Sequence, residues 1–340
     1  MQKLQEMDGK VIAAVRECAH SINSMKKFVA AMSELIEVTS QLPLTNFDYW
    51  ECLIRSAYSE AISESATPPK WKIWSKSKVP LSWLDLISWD GYKRERTLRA
   101  LSGALPNAFI FSLILRRLND WVPQVREAAR EKLPEIARVS NPQHVAEALC
   151  AALPHWGAWG RIEEADKNVL LGIIDEERIA ESLRHKLISS TSGPMPSLFA
   201  QFGRTSILDG KVEKIASCAI QPSVRAKAYR SLFERRITWV EGWKFEWVDI
   251  RYCESQLAPI ISERPLNVQT SLIELLQRSA EDRSSLVRRV SAEVLIRELE
   301  HLGVVGRELA ERFASDKSPT VAERGVFAVK KLERMGHGMA

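Results

Sequence analysis

The sequence predicts an all-α chain, an α-solenoid of stacked antiparallel helix hairpins. Three observations predict it: a turn motif recurs along the chain, its copies share a near-constant period, and apolar helical stripes flank each copy. The clearest copy is Asp120-Trp121-Val122-Pro123-Gln124-Val125-Arg126. A second runs from Asp282 through Val287 to Arg288, and a third from Asp316 through Pro319 to Val321; in all three a Val follows the Asp by five residues. A fourth, Pro222-Ser223-Val224-Arg225, lacks the Asp, and a weaker one runs from Asp90 to Arg96. Counted at the Val position, the copies fall at 95 (here Glu95), 125, 224, 287 and 321. The gaps of 30, 99, 63 and 34 are near-multiples of one repeat length, so about three degenerate copies are expected inside the long gaps.

Each unit has a readable physics. An apolar helix precedes the turn, as in Ile110–Leu115 or Leu272–Leu276. Pro123, Pro222 and Pro319 fit the first turn of the next helix, where a missing N–H costs nothing. Val125, Ala128, Ala129 and Leu133 then recur at helical spacing. Small Ala, Ser and Gly in that stripe allow close helix approach, and one hairpin cannot bury its own face, so units must stack. Asp120, Asp282 and Asp316 open the turns, while Arg126, Arg225 and Arg288 open the second helices; they are expected to pair as a ladder, each exposed rung contributing ~0–1 kcal/mol.

The Asp-x-x-Pro-x-Val-Arg turn at 120–126 and its copies resemble the HEAT-repeat family, across roughly 81–334. The resemblance implies a right-handed helical solenoid that serves mainly as a binding scaffold. The turn signature lapses between about 140 and 220. Residues 1–65 are expected to form an N-terminal helical cap, with a break at Ser21–Ser24; 66–80 a Pro/Lys/Trp linker; 81–334 the solenoid; and 335–340 a frayed tail.

Five scattered cysteines without a CxxC fit a reducing cytosol better than a disulfide framework and are expected to be small buried hydrophobes. No apolar run approaches the ~20 residues of a membrane span, and no secretory leader is expected at the N-terminus. Phosphate-loop, dinucleotide, zincin and nucleophile-elbow motifs are absent, and the six histidines lack ligand spacing. No catalytic residues, metal or cofactor are therefore assigned. Glu163-Glu164 and Glu176-Glu177 read as helix-start carboxylates.

The net charge of +5 is concentrated in 204–244, with nine basic and four acidic residues. Arg225, Lys227, Arg230, Arg235 and Arg236 there, with Lys70, Trp71, Lys72 and Trp74 in the linker, form the candidate nucleic-acid patch. Eleven tryptophans are the compositional oddity. Trp83, Trp89 and Trp121 fit the stacking core near turns. Trp239, Trp243 and Trp247 form one stripe if helical, although Gly242 weakens a helix and Trp243-Phe245-Trp247 also fits a strand. With Phe245 and Tyr252 they are the candidate protein interface, since interface hot spots are rich in Trp and Tyr. The leading expectation is a non-catalytic cytoplasmic scaffold for protein–protein interaction within a larger complex. Nucleic-acid binding is the alternative. A third is the family's alkylpurine DNA glycosylase branch, whose Trp–Asp pairing finds only Trp159 with Glu163 here.

Overall fold

The computed structural model describes residues 2–22, 24–65 and 82–337. The expected linker 66–80, with Lys70, Trp71, Lys72 and Trp74, lies outside the described residues. The described residues hold sixteen α-helices and one two-stranded antiparallel sheet. They divide into two compact units, Met1–Ser182 and Leu183–Ala340.

The first unit opens with α1 (Gln2–His20), α2 (Met25–Ser40) and α3 (Phe47–Ser65), broken where Ser21–Ser24 anticipates. It continues with α4 (Gly91–Ala100), α5 (Ala108–Arg116), α6 (Pro123–Val139), α7 (Pro142–Ala152) and α8 (Glu164–Ile174), and α9 (Glu177–Ser189) crosses the boundary. α4, α6 and α8 lie side by side, while α5 packs on α7. The apolar run Phe109–Leu115 makes α5 buried all round. Asn107 caps α5 and also donates through Nδ2 to Ile36 O and Thr39 Oγ1, tying α5 to α2.

The second unit contains α10 (Met195–Phe202), α11 (Val212–Cys218), α12 (Pro222–Glu234), then β1 (Arg236–Asp249) and β2 (Glu254–Pro265). After the hairpin come α13 (Leu272–Ala280), α14 (Ser285–Glu298), α15 (Gly303–Ala314) and α16 (Pro319–His337). α10, α12, α14 and α16 form one row; α11, α13 and α15 each pack on the next helix of that row. Pro123, Pro222 and Pro319 each open a helix. Gly325 sets the approach of α15 to α16: a Cβ there would collide with backbone atoms of Phe313 and Ala314. α16 extends through His337, into the segment expected to fray.

The Asp/Arg pairing exists, and it is buried or part-buried rather than exposed. Arg94 donates through Nε and Nη2 to both oxygens of Asp120, at 2.9 and 2.7 Å. Arg225 grips Asp282 the same way, at 2.8 Å twice, and Arg288 grips Asp316, at 2.6 and 2.8 Å. Each arginine also donates Nη1 to a carbonyl of its own turn six residues back: Ser88, Ala219 and Asp282. Each aspartate accepts the N–H two residues on, from Val122, Ser284 and Ser318, the Asx turn that fixes the entry of the following helix. Burial pushes the Asp120 carboxyl up, but its bonds from Arg94 and Val122 outweigh that and hold it below the usual range. The Arg288 bond likewise holds Asp316 low.

This geometry corrects the weak copy. The arginine of that turn is Arg94 and the turn residue is Ser88, whose hydroxyl accepts from the Asp90 N–H; the copy read from Asp90 to Arg96 is therefore two residues out of register. A related pairing joins Arg126 to Glu163 at 3.0 Å, while Glu163 and Asp166 form a capping box at the start of α8.

Candidate interaction surface

The stretch 238–252 is not helical. Arg236–Pro265 forms a long hairpin in which β1 pairs with β2 from Arg236↔Pro265 to Asp249↔Glu254. Alternating Thr, Trp, Val, Phe and Trp favour a pleated strand over a helix, and Gly242 interrupts any helical stripe.

The base of the hairpin is anchored in its own unit. Ile237 is fully buried and lies so close to Gly203 that a Cβ there would overlap its side chain. Arg264 donates to the carbonyls of Gly203 and Thr205 and pairs with Asp209. Trp239 is half-buried; its Nε1 donates to Glu241 at 2.7 Å, and the Arg204 guanidinium lies over its ring at 5.4 Å. Beyond Glu241, no hydrogen bond or ion pair among the described residues joins 242–258 to a helix.

A bulge sorts the tryptophans. Val240 pairs with Ile261 and Gly242 with Ile260, leaving Glu241 extra. Trp239 therefore faces the same way as Ser262, whereas Trp243 shares the opposite face with Pro259. Phe245↔Leu257 and Trp247↔Ser255 continue that second face. Trp243 is 59%, Phe245 77% and Trp247 62% exposed, and Val240, Leu257 and Ile261 beside them are exposed too. From Val240 to Trp247 this face carries no charge. The other face is mixed, with Lys244 and Glu246 paired at 2.8 Å. Tyr252 lies exposed in the turn between the strands, next to Arg251.

Sequence reasoning named the aromatics of β1 but missed Val240, Leu257, Pro259 and Ile261. The alternation of Leu257, Pro259 and Ile261 was the available signal. The expected single stripe is corrected as well: only Trp243 and Trp247 share a face.

The basic patch fares differently. Arg225 is 1% exposed, and Asp282 occupies it, so it does not face solvent as a phosphate-binding residue must. Arg230 reaches Glu293, and Arg236 pairs with Glu234 and Glu263. Lys227 is partly buried, and burial, then neighbouring Arg230, pushes its ammonium pKa down. Arg235 is exposed at the end of α12, in a left-handed conformation with φ of 51°. Five positive charges therefore do not form one open track.

Two further expectations change. Trp89 and Trp121 are 74% and 76% exposed rather than core; guanidinium groups of Arg55 and Arg161 lie over their rings at 4.9 and 4.6 Å. Trp121 and Arg161 border a cleft of about 350 Å³ in which Arg117 and Arg55 share the Glu51 carboxylate. Of the cysteines, Cys18 is buried, whereas Cys52, Cys218 and Cys253 are exposed. Trp83 is buried as expected.

Comparison with family models gives no match to this chain, and comparison with curated proteins gives none either. Among the described residues, no helix is long and apolar enough to cross a membrane, and no three His, Cys, Asp or Glu side chains gather as a metal site.

Proposed function

We propose that this chain is a non-catalytic scaffold of the HEAT-like kind, a solenoid of stacked helix hairpins that mediates protein–protein interaction within a larger cytoplasmic complex. The observation that carries the reading is the outer hairpin face, where Val240, Trp243, Phe245, Trp247, Leu257 and Ile261 are exposed together. An apolar patch of this extent on a folded chain marks an interaction surface. The two-row helix packing and the arginine ladder support a rigid support for that face.

Nucleic-acid binding has less behind it, because Arg225 is buried and Arg230 and Arg236 have carboxylate partners. The glycosylase-like alternative has least: Glu163 is held by Arg126 and Arg130, and Trp159 is buried.

The test is affinity capture from the native cell with and without nuclease, comparing the natural chain with Trp243→Ala and Trp247→Ala. A protein partner that survives nuclease and is lost in both variants, with helix content unchanged by far-ultraviolet circular dichroism, supports the reading. Recovery that depends on nucleic acid, or that ignores both substitutions, overturns it.

A further inference from the structure

The apolar face of the hairpin has properties that narrow its occupant. The three aromatics, 59–77% exposed, present about 300–500 Å² at ~150–250 Å² per full side chain. With Val240, Leu257 and Ile261 the face reaches roughly 700 Å², close to the ~800 Å² each partner contributes to a standard interface. One hairpin face can thus supply most of such an interface.

The face also lacks the polar component of a transient interface. Between Val240↔Ile261 and Trp247↔Ser255, every cross-strand pair on it is apolar except for Ser255. Interfaces that assemble and dissociate are about as polar as the rest of the surface, whereas homodimer interfaces are more apolar. A bare two-stranded hairpin is marginal in water unless its face is covered. Among the described residues most of 242–258 is exposed on both faces, so a cover that is present wherever the chain is would stabilise it. A copy of the same chain meets that condition.

The route of docking is restricted as well. β2 carries Pro259 and Pro265, and β1 is interrupted by bulges at Val240/Gly242 and Trp247/Asp249, features that discourage addition of a strand at an open edge. The face has no such protection. The partner therefore stacks on the face rather than extending the sheet.

Resting on the reading of this face as a protein interface, we propose that its occupant is a second copy of this chain. The two hairpins stack face to face about a two-fold axis, as two sheets pack at ~10 Å spacing, with Trp243, Phe245, Trp247 and Leu257 of both copies between them. A two-fold interface uses the same patch on both subunits, and a face whose two strands are both apolar can match itself.

The experiment is the mass of the purified full chain by light scattering and sedimentation from about 1 to 100 µM. The expected result is twice the chain mass, with Phe245→Ser and Trp247→Ser each raising the dissociation constant at least ~30-fold, which is about 2 kcal/mol at 1.4 kcal/mol per tenfold. Glu246→Ala, on the opposite face, is expected to leave the dimer intact. Far-ultraviolet circular dichroism checks that each variant keeps its helices. A monomer at 100 µM overturns the proposal, as does a dimer indifferent to both face substitutions or equally sensitive to Glu246→Ala. A monomeric chain whose captured partner still depends on Trp247 would overturn the dimer alone and leave the scaffold reading standing; a monomer whose capture ignores Trp243 and Trp247 would overturn both.

Discussion

Replacing Asp282 with Ala tests the buried ladder most directly. The substitution removes both oxygens that Arg225 grips at 2.8 Å, and the acceptor for the Ser284 N–H. Arg225 is 1% exposed and cannot turn to water without opening the packing of α12 against α14. Removing one partner of a buried ion pair costs about 3–5 kcal/mol, because an uncompensated charge stays inside. The carbonyls of Ala219 and Ile220 still accept from Nη1, which places the expected loss near the lower end, about 3 kcal/mol. The neighbouring substitution Glu281→Ala is the control: it breaks only the exposed Arg312–Glu281 pair and should cost less than ~1 kcal/mol. Urea unfolding followed by circular dichroism reads the difference. With a slope of ~1–3 kcal/mol/M, the Asp282→Ala midpoint should fall by about 1 M or more, and the Glu281→Ala midpoint should hardly move. The double substitution Arg225→Met with Asp282→Leu should recover part of the loss, since it removes the uncompensated charge while the Ser284 N–H and the Ala219 and Ile220 carbonyls still lose their partners. A loss below ~1 kcal/mol for Asp282→Ala would refute the argument, because it would mean that the guanidinium is hydrated in the folded chain.

Four further outcomes follow from the same geometry. The Arg288 bond depresses the folded-state pKa of Asp316, so its contribution is full above the unfolded value near ~3.9 and is lost as pH falls through the folded one; thermal midpoints from pH 6 to 2 should fall less steeply in Asp316→Asn, and an unchanged slope would contradict this. Gly325→Ala should destabilise by about 1–3 kcal/mol through collision with the backbone of α15, whereas Gly172→Ala, with open space around it on α8, should stabilise by up to ~1 kcal/mol; opposite signs in urea unfolding check the pair. Ile237→Ala, at the buried foot of the hairpin, should cost about 2–5 kcal/mol, while Trp243→Ala should leave the monomer's stability nearly unchanged; equal losses would place Trp243 in the core. Burial pushes the Cys18 thiol up to about 12, so native alkylation read by peptide mass should modify Cys52, Cys218 and Cys253 and spare Cys18, and early labelling of Cys18 would count against its burial.

The helical content was legible because it rests on local signals. Prolines at 123, 222 and 319 mark helix starts, and the stripe from Val125 to Leu133 has a helical period. The ladder was legible as residue types but not as burial, because the depth of Arg225 depends on what packs over α12. Ser88 stands where other copies have Asp, and its hydroxyl makes the same turn bond, so a pattern keyed on Asp points to Asp90 instead. Glu163 went unpaired for a related reason: its side chain is one carbon longer and reaches Arg126 from a turn with a different spacing. Trp89 and Trp121 were misplaced because aromatic content argues for a core unless a guanidinium covers the ring. For the hairpin, the composition of β1 was visible, but the faces were not. A spacing of four between Trp239 and Trp243 implies a shared face in either a helix or a regular strand, and only the extra residue at Glu241 separates them.

That extra residue has a heritable consequence. Because Val240 and Gly242 already oppose adjacent residues of β2, losing the single codon for Glu241 would leave every cross-strand partner in place. What would change is direction: a bulge bends its strand and increases the local twist, so the outer half would point elsewhere with its surface chemistry intact. Gain or loss of one codon therefore steers this arm without rewriting what it carries, and lineages can re-aim it in a single mutational step.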